Sequence, residues 1–248
     1  MNPMAKTIVS AFMMITTAAA VQAQTEFRVE TDLFLGDEKE PFHQTTTLFS
    51  GGVAYDLPHG QNVVTMVDPK RNRIVLLDKQ RRKQTNIDID DLTKLIENAK
   101  TGATGILGQV IADAQLVEVA EDSLTVGQSL LRYEATLQPS SGECAAEYAA
   151  FANASAMLNG GRDPAALPYA RLLLNEAILQ KNKLPKEITK TVMLTKVPQV
   201  SRSILHANFR LSKDDQLSIN EIGTMLASFE KIPQREFFNP ASPVAASK

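Results

Sequence analysis

A chain of 248 residues with 44% hydrophobic and 22% charged side chains has ample material for a core and is not a mainly disordered protein. Its 26 basic and 28 acidic residues leave a net charge of −2, which gives no overall pull toward nucleic acid or an anionic membrane. One cysteine, Cys144, excludes an intramolecular disulfide.

Lys6 precedes an apolar run from Ile8 to Val21, and Val21-Gln22-Ala23 supplies the small residues that a signal peptidase recognises. Cleavage after Ala23 is expected, with a periplasmic or secreted destination. The run is shorter and less apolar than the roughly 20 residues a bilayer span needs, so no transmembrane segment is expected in the mature chain. Removing residues 1–23 leaves 225 residues and a balance of −3. No Cys follows Ala23, so a lipid anchor on a new N-terminal Cys is not expected.

From Thr25 to Ile89 the apolar period is close to two. Phe27, Val29, Thr31 and Leu33 alternate with charged residues, and Phe42 to Phe49 forms a second strand. Val53, Tyr55 and Leu57 form a third. Val63–Val67, Ile74–Leu77 and Gln84–Ile89 follow, separated by Asp68-Pro69-Lys70-Arg71-Asn72 and by residues 78–82. Short strands joined by short turns describe a meander with one wet face and one apolar face. Asp90 or Asp91 is expected to cap a helix carrying Leu92, Leu95, Ile96 and Ala99. Gly102, Gly105 and Gly108 break it, and Ile106, Leu107, Val110, Ile111 and Ala114 resume helical spacing.

Leu130–Leu137 reads as a strand, and the alanine-rich segment 143–158 as a helix stopped by Gly160-Gly161. Another helix begins near Pro168, with Leu172, Leu173, Ala177 and Ile178 inward and Lys181 and Lys183 at its end. Two strands follow, on Ile188, Val192 and Leu194 and on Leu205, Ala207, Phe209 and Leu211. Ser218 with Glu221 then suggests a capping box for a last helix on Ile219, Ile222, Leu226 and Phe229. The expected architecture is a single α+β domain over residues 24–232: a curved antiparallel sheet, an incomplete β-barrel, whose concave face helices cover. A helical insertion occupies about 143–183, and a Pro/Ala/Ser-rich tail at 233–248 is expected to be disordered.

The succession Val53-Ala-Tyr55-Asp56, Met66-Val67-Asp68-Pro69 and Ile74-Val75-Leu76-Leu77-Asp78, followed by a helix, resembles the periplasmic lipoprotein carrier fold family. The likeness is one of strand and turn rhythm over about residues 25–137. The resemblance implies a half-barrel with a concave apolar cavity able to hold acyl chains. No binding residue of that family is placed on this chain, and segment 143–183 is larger than the fold would lead one to expect.

No catalytic constellation stands out. His43, His59 and His206 share no metal-ligand spacing, G-x-S-x-G is absent, and Cys144 reads as packing material. Gly102-Ala-Thr-Gly105-Ile-Leu-Gly108 follows a helix and lacks a Lys-Ser/Thr end, so it reads as a helix break or a hinge, not a phosphate loop. No cofactor and no metal are implied. Lys70, Arg71, Arg73, Lys79, Arg81, Arg82 and Lys83 against Asp78 give +6 over residues 70–83, and residues 84–122 carry −6. Two readings stay open: mutual compensation on a solvated surface, or a basic rim for anionic headgroups or an acidic partner.

The sequence therefore points to an exported, non-enzymatic binding protein that holds a lipid, an acyl chain or a lipid-modified protein. Val29, Leu33, Tyr55, Ile74, Leu76, Leu95, Leu107 and Val110 are the expected cavity lining, subject to strand register. An envelope interaction or scaffold protein docking a partner on 143–183 and the tail is the alternative, and an exported hydrolase is a third.

Overall fold

The computed structural model describes residues 25–162 and 168–239. The expected signal segment 1–23 and residues 240–248 of the expected tail lie outside the described residues. Six strands come first: β1 (Glu26–Leu35), β2 (His43–Ser50), β3 (Val53–Pro58), β4 (Val63–Asp68), β5 (Arg73–Asp78) and β6 (Lys83–Asp88). Helices α1 (Ile89–Thr101) and α2 (Gly105–Asp113) follow, then β7 (Leu116–Val119), β8 (Ser123–Val126) and β9 (Leu131–Pro139). Helices α3 (Gly142–Arg162) and α4 (Tyr169–Gln180) precede β10 (Lys183–Val192) and β11 (Gln199–Asn208). The described chain ends with α5 (Lys213–Ser228), β12 (Glu230–Lys231) and α6 (Gln234–Phe238).

All twelve strands form one open sheet in the order β12-β6-β5-β4-β3-β2-β1-β11-β10-β9-β8-β7, antiparallel except where β12 joins β6. The protein is α+β, as the strand rhythm and helical spacing predict. β9 and β10 are hydrogen-bonded neighbours, so α3 and α4 fill the connection between two adjacent strands.

Register sorts the side chains into two faces. Phe27, Phe49, Ala54, Val67, Ile74 and Ile87 stand opposite one another in turn across β1 to β6. All six are buried, and they share a core with Leu92 and Ile96 of α1, Val110 of α2, Tyr148 of α3 and Leu174 of α4. At its centre the Phe27 and Phe49 rings stack at 4.1 Å. The opposite face is apolar too. Val64, Met66, Val75 and Leu77 pack under Ile222 of α5 and under Phe229. The expectation of one wet face is therefore corrected for β4 and β5. Their runs Val-Val-Thr-Met-Val and Ile-Val-Leu-Leu are nearly continuous, the pattern of strands buried on both sides.

Polar contacts hold α5 in place. Arg28 of β1 reaches Asp215 in its first turn at 3.1 Å, and Gln84 of β6 donates to the carbonyls of Leu226 and Phe229 at its end.

Several boundaries differ from the sequence reading, and at the starts of α1 and α5 the reason is a nearer polar group that satisfies the helix end. Asp88 caps α1, accepting from Asp91 N–H, in place of Asp90 or Asp91. The capping box of α5 is Ser212 with Asp215, not Ser218 with Glu221. Helix α3 continues through Gly160-Gly161, where a Cβ on Gly161 would meet the Leu92 side chain at 3.0 Å, so glycine lets α1 lie close. Lys183 opens β10 instead of ending α4, while Leu194, Phe209 and Leu211 lie beyond the strands. Gln234–Phe238, within the expected tail, is helical with Phe237 buried. Strands β7 and β8 had no counterpart in the sequence reading.

Candidate functional site

Helix α3 is built to pack tightly. Its first turn is satisfied by Ser141, whose hydroxyl accepts from Cys144 N–H at 3.2 Å. Ala145, Ala149, Ala152 and Ala154 are buried, and Tyr148 is the bulky buried side chain among them. Small residues let α1, α4 and the sheet approach the helix, and two clefts remain along its flanks.

The first cleft, about 240 Å³, lies between α3, α4 and strands β9 and β10. Tyr133 faces it because alternate residues of β9, Leu131, Tyr133, Ala135 and Leu137, turn to the helix-covered side. Lys190 stands directly opposite Tyr133 in the β9–β10 register and lines the same space. Arg171 enters from α4, where its Nε donates to Asn175 Oδ1 at 2.9 Å. Asn175 in turn donates to Asn153 Oδ1 at 2.9 Å, tying α4 to α3. Among the described residues, the lining holds two cations and no carboxylate.

Burial pushes the Tyr133 and Tyr148 hydroxyls above their ordinary value, with Arg171 opposing the shift in both. Both phenols therefore stay protonated and able to donate. The charge of Asp56 of β3 adds to the upward shift of Tyr148. Burial raises the Asp56 carboxyl, and the hydroxyls of Thr45 and Thr47, donating at 2.7 and 2.8 Å, partly offset this.

The second cleft, about 220 Å³, lies between α3 and the β2–β4 region. Phe49, Val53, Ala54, Val67 and Pro69 make it apolar, with Lys70 and Glu147 at its rim. Glu147 Oε2 is buried without a hydrogen-bond partner among the described residues. Burial raises the Glu147 carboxyl, Lys70 opposes this, and Glu143 adds to it. Phe151 lines both clefts, and its ring meets Phe49 edge-on at 5.7 Å.

The residues expected to line a cavity are only partly gathered. Val29, Ile74, Leu76 and Val110 are buried in the core on the helix-covered face, and Leu107 packs against it half-buried. Leu33 is half-buried near the end of β1. Tyr55 is on the opposite face, packed against the α5 cluster, because Ala54 and not Tyr55 continues the Phe27 row. Leu95 is 54% exposed, since Leu92 and Ile96 take the inward positions of α1. The two clefts beside α3 are lined by other residues. Tyr133, Arg171 and Lys190 were missed. The detectable signal was a lysine at an inward position of a strand, flanked by Ile188 and Val192.

The basic segment is largely occupied internally. Asp68 binds Arg71 and Arg73 at 3.1 and 3.4 Å, and Asp78 binds Arg81 at 2.6 Å. Arg81 also covers the Phe237 ring, Arg82 covers Phe229, and Lys83 pairs with Glu230 at 2.6 Å. Lys70 borders the second cleft, and Lys79 donates its backbone N–H to Asn62. These cations brace their own turns and the C-terminal segment; the acidic stretch 84–122 does not supply the partners described above.

His43 begins β2, His59 meets Thr46 at 3.0 Å in a turn, and His206 lies 3.7 Å from Asp32 on β11. Cys144 is buried in the core. Among the described residues, no group of three or more His, Cys, Asp or Glu could hold a metal ion, and no helix is long and apolar enough to cross a membrane. Neither cleft sets a nucleophile beside a histidine. No family model matches the chain, and no curated protein matches it.

Proposed function

We propose that this chain is an exported, non-enzymatic binding protein that holds a lipid or acyl chain between its sheet and α3. In this reading the open sheet bends as an incomplete barrel of the lipoprotein carrier type, with α1, α3 and α4 on its concave side. The supporting observation is the pair of clefts that meet at Phe151, one apolar and one polar, on the face where helices and sheet come together. Neither cleft alone reaches the roughly 300 Å³ at which small-molecule pockets begin. A ligand long enough to lie across Phe151 would use both. Each buried methylene contributes about 0.8 kcal/mol, so about ten are needed for micromolar binding.

The test is native mass spectrometry of protein purified from its own compartment, together with uptake of a fluorescent fatty acid. The expected result is co-purified lipid or saturable uptake that Phe151→Trp weakens about tenfold. A clean ligand-free mass and no uptake would overturn the reading.

A second reading, an envelope interaction protein, is favoured by β7. This edge strand exposes Leu116, Val117 and Val119 beside its unpaired backbone, a surface suited to accepting another strand. Crosslinking that captures a partner through residues 116–119, and fails in Val117→Pro, would favour it.

A further inference from the structure

The first cleft differs from the second in charge, and the difference gives direction to any ligand that spans both. Arg171 and Lys190 line the first cleft, Tyr133 and Tyr148 add hydroxyl donors, and no described lining residue is a carboxylate. The second cleft is mainly apolar and has one cation and one acid, Lys70 and Glu147, at its rim. An anion in the first cleft would meet two cations and two donors and no described carboxylate, whereas one in the second would meet Lys70 and Glu147, whose charges oppose each other. Arg171 is positioned for the task. Its Nε is held by Asn175, which Asn153 braces from α3, so the guanidinium is set before any ligand arrives.

From this arrangement we infer, given the binding role proposed above, that the ligand is an anionic amphiphile. Its carboxylate or phosphate head sits against Arg171 and Lys190, and its chain passes Phe151 into the cleft lined by Phe49 and Val67. Charge-assisted hydrogen bonds to the head add to the affinity that a short apolar cleft supplies, and they fix which end of the ligand enters where.

Dodecanoate, dodecyl phosphate and dodecanol, titrated calorimetrically into the full chain well above the carboxylate pKa, test this. The two anions are expected to bind at least about tenfold more tightly than the alcohol. Arg171→Gln is expected to remove the preference, bringing both anions to within about twofold of the alcohol's affinity for the same variant. Lys190→Gln provides the same reading should Arg171→Gln fail to fold. Equal affinity for all three overturns the head-group assignment and leaves the acyl-binding role standing. No binding of any of the three overturns both. Inorganic phosphate is the control for a free anion: binding as tight as that of dodecyl phosphate overturns the amphiphile and assigns the cleft to a soluble oxyanion.

Discussion

Asp113, at the end of α2, holds the turn between β8 and β9. Its carboxylate accepts from the backbone N–H groups of Gln128, Ser129, Leu130 and Leu131, and from the Ser129 hydroxyl at 2.8 Å. Partial burial pushes the carboxyl up, but these donors outweigh it and hold the pKa at about 2. Gly127 completes the turn at φ +81°, where an added Cβ would lie 1.9 Å from the Leu131 carbonyl oxygen. A carboxyl lowered by folding contributes stability above its unfolded pKa, near 3.9, and loses it as pH falls through the folded value. Asp78 and Asp215 are lowered as well, and act in the same direction. Asp113→Asn is accordingly expected to melt below the wild type at neutral pH, with the gap closing between about pH 4 and pH 2. Thermal melts across that window check it, and a gap that persists unchanged would refute the assignment.

At the scale of elements, α5 is the helix whose attachment is most explicit. Its capping box has Ser212 accepting from Asp215 N–H at 3.1 Å while Asp215 accepts from Ser212 N–H at 2.8 Å. Ser212→Ala should cost about 1 kcal/mol. Gly223, in the same helix, has nothing within 4 Å of an added Cβ. Gly223→Ala should therefore stabilise by roughly 0.5–1 kcal/mol. Urea titrations of the two variants, moving in opposite directions from the wild type, check both values.

The helix also shows what the chain made legible. The first six strands and the helical connection follow from alternation and turn residues, because each is fixed by neighbours in sequence. The wet face assigned to β4 and β5 failed because their cover, α5, lies some 150 residues away. Ser212 was passed over for the same kind of reason. The cation paired with buried Asp215 is Arg28, 187 residues away. Of the site, none of the residues expected to line a cavity lines either cleft, and Arg171 and Lys190 converge only through the α4 docking and the β9–β10 register.

For the molecule as a whole, the basic segment 70–83 gives a surface-charge prediction. Asp68, Asp78 and Glu230 bind four of its seven cations, and a fifth, Arg82, covers Phe229. Binding to anionic vesicles at physiological salt is therefore expected to be negligible, since few cations remain to meet headgroups. Cosedimentation with phosphatidylserine vesicles checks this, and salt-sensitive capture would overturn it.

The same C-terminal segment has a further consequence. Val64, Met66, Val75 and Leu77 leave a ribosome well before their cover, which arrives only with residues 213–229, more than 130 residues later. Strand β1 likewise waits for β11 before both its edges are paired. The nascent polypeptide therefore carries a greasy, half-finished surface that invites holding by a chaperone until α5 has emerged.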